Sequence, residues 1–223
     1  MPSFVKIPPE EFRALSFQAP DTADLYGYDN VLLREGFWRR LVVMDQLLQR
    51  HVQRWTRCLD FGTGSGVFLP TLATRFATVH AADRDTSDAG KLVAARQLSN
   101  VVLEQRDVLA EPFERGRFDA IVAADVLEHF PDTMPIAQHL YDWLADDGVL
   151  VTSLPSESWI YVLLRRVFGI EKPADHYFTG AEVEATLTRV GFRALRRRHL
   201  PLEIPGISLF LVTAWRRARA DER

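Results

Sequence analysis

Four short apolar runs, each with an aspartate in its last two positions or directly after it and separated by helical stretches, constrain this chain more than any other feature of its 223 residues. The runs are Arg57 to Phe61, Thr78 to Ala82, Val101 to Arg106 and Ala120 to Ala124; the aspartates are Asp60, Asp83, Asp107 and Asp125. Ala120 to Ala124 is apolar at every position, the mark of a strand covered on both faces. Between the runs, helices are predicted near Val67 to Arg75, over 86 to 98, and from Asp132, where Ile136, Leu140, Trp143 and Leu144 follow at helical spacing until Asp146-Asp147-Gly148 stops them. A fifth strand spans Gly148 to Leu154. Thr179 to Glu182 forms a capping box ahead of Val183, Leu187 and Val190, with Gly191 placed to end that helix. Phe192 to Leu200 and Ile207 to Trp215 supply two further strands. Upstream, Val31 to Gln49 sets Leu32, Leu33, Phe37, Leu41, Met44 and Leu48 near helical spacing, and the helix is expected to lie across the sheet edge. Alternation of this kind predicts a doubly wound α/β fold with a mostly parallel sheet and helices on both faces.

Composition narrows the function classes. Apolar residues make up 47% and charged residues 26%, an ordinary globular balance, and a net charge of −3 is too small to imply a nucleic-acid partner. The C-terminal third is net basic, with Arg193, Arg196, Arg197 and Arg198 on one predicted strand and Arg216, Arg217 and Arg219 near the tail. A solvated sheet edge explains such a cluster more simply than a nucleic-acid surface. Cys58 has no disulfide partner and sits in an apolar strand, so it reads as a buried structural thiol compatible with a reducing compartment. The first residues lack a basic leader followed by an apolar run, and Trp159 to Phe168 is too short and too charged to span a bilayer. A cytoplasmic protein is the expectation.

The chemistry concentrates at Leu59-Asp60-Phe61-Gly62-Thr63-Gly64-Ser65-Gly66, where a strand end runs through glycines into a helix. Glycine lets the backbone approach a ligand and adopt positive φ, and a helix start offers unpaired N–H donors. A dinucleotide fingerprint starting at Gly62 needs Gly or Ala at position 67; Val67 stands there, and Gly66 arrives one place early. Asp60 would repel a pyrophosphate and attract an ammonium group, so the turn suits a zwitterion. Asp83, at the second strand's end, is placed to accept ribose hydroxyls, and Asp107, after the third, lies within reach of an adenine amino group.

With these residues in place, residues 57 to 215 resemble the class I S-adenosylmethionine-dependent methyltransferases. Asp60 to Gly66 looks like the family's first motif, Asp83 like its ribose-binding acid, and Arg106-Asp107-Val108 like its adenine-contacting turn. Asp125-Val126-Leu127-Glu128-His129-Phe130 resembles the fourth motif of the subgroup that methylates small molecules and lipid-like acceptors. The resemblance implies a seven-stranded sheet with an antiparallel last strand, and S-adenosyl-L-methionine as cofactor. It also implies cofactor contacts from Asp60, Gly62, Thr63, Gly64, Gly66, Asp83, Arg84, Asp107, Val108, Asp125 and Val126, and no metal. Residues 1 to 50 read as an N-terminal helical segment or cap, and 51 to 223 as the methyltransferase domain, with a substrate-cap insertion at about 155 to 180.

Methyl transfer from a sulfonium needs alignment of the nucleophile, and a general base only when that nucleophile arrives protonated. His129 and His176 are the candidate bases; His129 reads equally well as a residue that packs against the cofactor pocket. His176, Tyr177, Trp159 and Tyr26 are the candidate contacts to the acceptor, a small or lipid-linked molecule. Trp159 to Phe168 reads either as ordinary core or as a lid that touches a membrane surface through Arg165 and Arg166. The loop after strand four lacks the Asn/Asp-Pro-Pro-aromatic sequence of base-amine methyltransferases, which disfavours DNA or RNA as acceptor. Two rivals remain: an NAD(P)-dependent oxidoreductase on a similar fold, and a catalytically silent methyltransferase-like partner protein.

Overall fold

A strand that is apolar throughout needs a core on each of its faces, and the central strands feed two. In β4 (Phe118–Ala124), Ala120 and Val122 point into one apolar cluster while Ile121 and Ala123 point into the other. β1 (Arg57–Phe61) does the same, with Cys58 on the first side and Leu59 and Phe61 on the second. A computed structural model of the chain describes residues 3–17, 26, 31–156, 158, 177–202, 204 and 207–218.

The remaining elements are α1 (Pro9–Leu15), α2 (Val31–His51), α3 (Leu69–Ala73), β2 (Thr78–Asp83), α4 (Ser87–Ala95), β3 (Val101–Gln105), a 3-10 turn at Leu127–His129, α5 (Thr133–Trp143), β5 (Leu144–Pro155), α6 (Gly180–Val190), β6 (Phe192–Leu200) and β7 (Phe210–Arg217). Their seven strands form one sheet in the order β3-β2-β1-β4-β5-β7-β6, parallel except where β7 pairs with β5 and β6. Leu41, Met44 and Leu48 of α2, with Leu69, Leu72 and Leu92, cover one face. Ile136, Leu140 and Trp143 of α5 and Val183 and Leu187 of α6 cover the other. The expected doubly wound sheet, antiparallel at its last strand, is the fold observed.

Several boundaries move for local reasons. The helix after the glycine turn is only Leu69–Ala73, because residues 62 to 68 are spent on turns before Pro70 sets the first helical positions. α5 stops at Trp143, where Leu144 is already extended at ψ 133, so Asp146-Asp147-Gly148 lies within β5 instead of stopping the helix. α2 lies across β7, β5 and β6, covering that flank of the sheet's face as well as its edge. Asp132 caps α5 by accepting from the Met134 amide, and Thr179 and Glu182 form the capping box that starts α6. β6 is an edge strand, consistent with a solvated arginine cluster there.

Several polar groups inside the fold are paired. Asp119 accepts from the Thr56 and Arg57 amides at 3.1 and 3.0 Å, pinning the start of β1 to β4. Asp45 of α2 takes a two-pronged bond from Arg75, Nε to Oδ1 at 3.0 Å and Nη2 to Oδ2 at 2.9 Å, with side chains only 3% and 1% exposed. Gln49 adds a bond to the same carboxylate at 2.6 Å. This pair clamps α2 to the end of α3. Burial pushes the Cys58 thiol well above its ordinary range, which leaves it inert.

Removing one member of a buried pair strands the other charge. Asp45→Ala is therefore expected to lower the unfolding free energy by about 3 to 5 kcal/mol, read from urea denaturation. A loss below 1 kcal/mol would show that the clamp contributes little.

Candidate active site

β1 lies between β2 and β4, and the chain leaves β1 toward one side of the sheet and β4 toward the other, so a crevice opens between their C-terminal ends. The glycine turn lines it. The Gly62 amide donates to the Ala82 carbonyl at 2.9 Å, and the Gly66 amide to the Thr63 carbonyl at 2.8 Å. Gly62 has φ +72, and a Cβ there would lie 2.4 Å from Val126 Cγ2, so a side chain is excluded by strain and by space. Gly64 has φ +52, but a Cβ there would meet nothing within 4 Å. Its bare backbone faces open space, as a surface built for a ligand would.

Asp60 is buried beneath the turn, where its Oδ2 accepts from the Thr63 hydroxyl at 2.7 Å. Burial raises its carboxyl from 3.8 to about 7, against the opposing pull of that hydroxyl, and the Asp83 charge adds to the rise. Asp83 hooks the turn to β2, accepting from the Gly64 amide at 2.8 Å. Arg84 follows it on the exposed rim. The Arg106 amide donates to the Asp83 carbonyl at 2.9 Å, which brings the ends of β2 and β3 side by side. Asp107 then organises its own turn by accepting from the Leu109 amide at 3.0 Å, and Val108 is buried beside it. The sequence-predicted residues thus gather along one edge, with Asp60, Gly62, Thr63, Gly64 and Gly66 at the β1 end and Asp83, Arg84, Asp107 and Val108 at the β2–β3 end.

Asp125 and Val126 close the crevice from β4. Asp125 takes φ +50, its amide donates to the Ser153 carbonyl at 2.8 Å, and its carboxylate pairs with Arg40 of α2. Arg40 is the candidate site residue that sequence reasoning missed. Its Nη2 donates to the Tyr26 hydroxyl at 2.5 Å, and its guanidinium lies 5.1 to 5.6 Å from the ring centres of Phe210, Phe37 and Tyr26. Its Nε has no hydrogen-bond partner among the described residues. The signal was present: Arg40 falls on the apolar face set by Phe37, Leu41 and Met44, where a cation must be explained.

Tyr26, expected at the acceptor, is buried in the aromatic cluster of Phe12, Phe37 and Trp38 with its hydroxyl taken by Arg40. His129 is half-buried at the end of the 3-10 turn that follows Val126. Tyr177 is 55% exposed, and its amide donates to the Glu128 carbonyl at 2.9 Å, which holds that loop beside His129. His176 and Trp159, with the predicted lid through Phe168, lie outside the described residues.

A glycine turn at the switch point of a seven-stranded sheet, with acids at or beside four strand ends, is the arrangement expected of a class I methyltransferase. The chain belongs to the methyltransferase-domain family, whose profile matches residues 33–200. It is similar to the ubiquinone biosynthesis O-methyltransferase of Rhodopseudomonas palustris (strain TIE-1), 24% identical over 145 residues, 60% of this chain and 57% of that protein. The chain thus spans little more than half the length of that curated relative. The enzyme of the same name from Xylella fastidiosa (strain 9a5c) is 29% identical over 192 residues, 82% of this chain and 75% of that one. In fold the chain resembles the N-methyltransferase NodS of Bradyrhizobium japonicum WM9 in complex with S-adenosylhomocysteine, with a TM-score of 0.68 at 20% identity, covering 94% and 98% of the two chains. Family and fold support S-adenosylmethionine as the cofactor. The residues fit it: Gly64 leaves a bare cradle, Asp60 is an acid that an ammonium group would ionise, and Arg40 is a buried cation with donor capacity to spare.

Asp60 must be ionised to hold an ammonium group. In the free protein it is about half protonated at pH 7 and mostly protonated at pH 6, so affinity for S-adenosylhomocysteine is expected to fall by about fivefold between pH 7 and pH 6, with proton release on binding near neutrality. Titration calorimetry in buffers of different ionisation enthalpy measures both. Asp60→Asn is expected to bind weakly and to flatten the profile; an unchanged slope in that variant would assign the proton elsewhere.

Proposed function

We propose that the protein transfers the methyl group of S-adenosylmethionine to a small or lipid-like acceptor, with oxygen as the favoured accepting atom and nitrogen or carbon as the alternatives. The observation that carries this reading is the placing of opposite charges about one turn: the Asp60 acid beneath it and the Arg40 guanidinium beyond Val126. Such a pair suits the two ends of an amino acid. On this reading Asp60 takes the ammonium group, Arg40 the carboxylate and the Gly62 to Gly66 backbone the chain between them. Asp83 offers its remaining lone pairs to ribose, and Arg84, Asp107 and Val108 border the adenine.

Bound there, S-adenosylmethionine supplies a methyl group already activated by its sulfonium. What the chain adds is alignment, which can lower a barrier by about 7 to 11 kcal/mol. The crevice between β1 and β4 fixes the donor, and the acceptor enters over Val126 and the Leu127–His129 turn. The O-methyltransferase names of the curated relatives favour a hydroxyl acceptor, whose proton must leave. On this reading His129 receives it, and Tyr177, exposed and bonded through its amide to the Glu128 carbonyl, contacts the acceptor. Neither a dinucleotide-linked oxidoreductase nor a silent partner protein has an observation in its favour. A cytoplasmic setting accords with the lone buried thiol of Cys58. Among the described residues no helix is long and apolar enough to cross a membrane.

Two measurements test the proposal. Incubation of the protein and a methyl-labelled donor with cell extract is expected to label a small or lipid-like product identifiable by mass spectrometry; tight binding of NADH with no response to S-adenosylhomocysteine would overturn the reading. His129→Ala is expected to lower kcat by about 10²- to 10⁴-fold. Turnover within a few-fold of the wild type across pH would reduce His129 to a packing residue.

A further inference from the structure

Arg40 is a cation held out of water. Its side chain is 6% exposed, and Tyr26, Phe37 and Phe210 surround the guanidinium. A buried guanidinium without an anion is costly, so in any state of the protein something negative must stand beside it. In the structure that anion is Asp125. Asp125 differs from its partner in two ways. Its side chain is 23% exposed, so it already borders the open crevice, and its backbone sits at φ +50, a strained setting for a residue other than glycine and one that clusters at functional sites. The Ser153 hydroxyl, 3.4 Å from Asp125 Oδ1, is too distant to hold the carboxylate firmly.

We propose that Asp125 is a built-in stand-in for the methyl donor's carboxylate: it neutralises Arg40 while the site is empty and is displaced when the donor binds. The exchange conserves charge, one carboxylate replacing another on the same guanidinium, so the buried cation is never left bare. Asp125 is then released toward the opening above Val126, where the acceptor enters. Donor binding thereby completes the acceptor side, and the donor binds first. This rests on the donor reading of the site given above.

The exchange makes Asp125 a competitor of the donor, and apparent affinity falls with the fraction of protein in which Arg40 is free. Calorimetry with two probes reads this directly: S-adenosylhomocysteine, which carries the amino-acid end, and methylthioadenosine, which lacks it. Asp125→Asn is expected to bind S-adenosylhomocysteine about three- to tenfold more tightly than wild type. Its affinity for methylthioadenosine should stay within twofold, which also shows that the variant is folded. Arg40→Met is expected to lose at least about tenfold toward S-adenosylhomocysteine while keeping methylthioadenosine binding. In that background Asp125→Asn should change nothing. Weaker or equal binding of S-adenosylhomocysteine by Asp125→Asn, or a gain that persists without Arg40, overturns the exchange alone. A wild type that binds neither probe overturns the donor reading and the exchange with it.

Discussion

The contact on which the site depends is the approach of Gly62 to Val126. β1 and β4 are neighbours in the sheet although two strands and two helices separate them in sequence, and their ends are in register, Phe61 beside Ala123. The two chains then turn away to opposite sides. Where they part, only a hydrogen on Gly62 clears the Val126 side chain. That closeness brings the turn, with Asp60 buried beneath it, against the end of β4 next to Asp125. The Asp83 bond to the Gly64 amide ties the turn down on its other flank. A ligand entering here meets groups from β1, β2 and β4 together, and no one of those strands alone would make the site.

Asp60 illustrates how burial changes the meaning of a motif. Taken from sequence, it is a standing negative charge that rejects diphosphates. In the structure, burial and the Asp83 charge raise it to about 7, so at neutral pH the carboxyl is close to half protonated. Discrimination survives, but its origin is a proton linkage. A diphosphate raises the carboxyl further and leaves it neutral, with nothing gained. An ammonium group pulls the same carboxyl down and gains an ion pair in a dry setting, where charges interact strongly. Selection is therefore exerted by the ligand on the acid as much as by the acid on the ligand.

The sheet was legible because its signals are local. Continuous apolar runs, an Asp132 cap and the Thr179–Glu182 capping box each act within a few residues, and each appears where expected. The gathering of Asp60, Asp83, Asp107 and Asp125 along one edge was legible for the same reason, since acids at successive strand ends are brought together by the parallel topology itself. What escaped depends on contacts distant in sequence. Arg40 and Asp125 are 85 positions apart, and no periodicity announces that a helix ahead of the sheet will lay a cation on the end of the fourth strand. Tyr26 was misplaced for a related cause: an aromatic phenol near an opening reads as a ligand contact, whereas here its ring is held by Phe12, Phe37 and Trp38 and its hydroxyl by Arg40. The early end of α5 is a smaller instance, decided by Leu144 joining β4 before any loop can form.

The N-terminal elements follow from the same charge. A guanidinium can serve a ligand's carboxylate only if it is held within a few tenths of an ångström, and α2 is fixed at several points along its length. Arg75 grips Asp45 near its middle, and Lys6 pairs with Glu35 near its start. The Val5 amide donates to Thr71 in α3 at 3.0 Å, and Glu11 of α1 pairs with Arg96 just past α4. Trp38, the largest buried side chain of α2, stands edge-on to Phe4, Phe12 and Tyr26, joining α1 and α2 in the core that covers the sheet. Aromatic packing and paired charges therefore hold rigid the wall that carries Arg40, while the carboxylate facing it sits on a strained, half-open turn. That contrast, a cation held by packing and an anion on a partly exposed turn at positive φ, is what the proposed exchange would draw on.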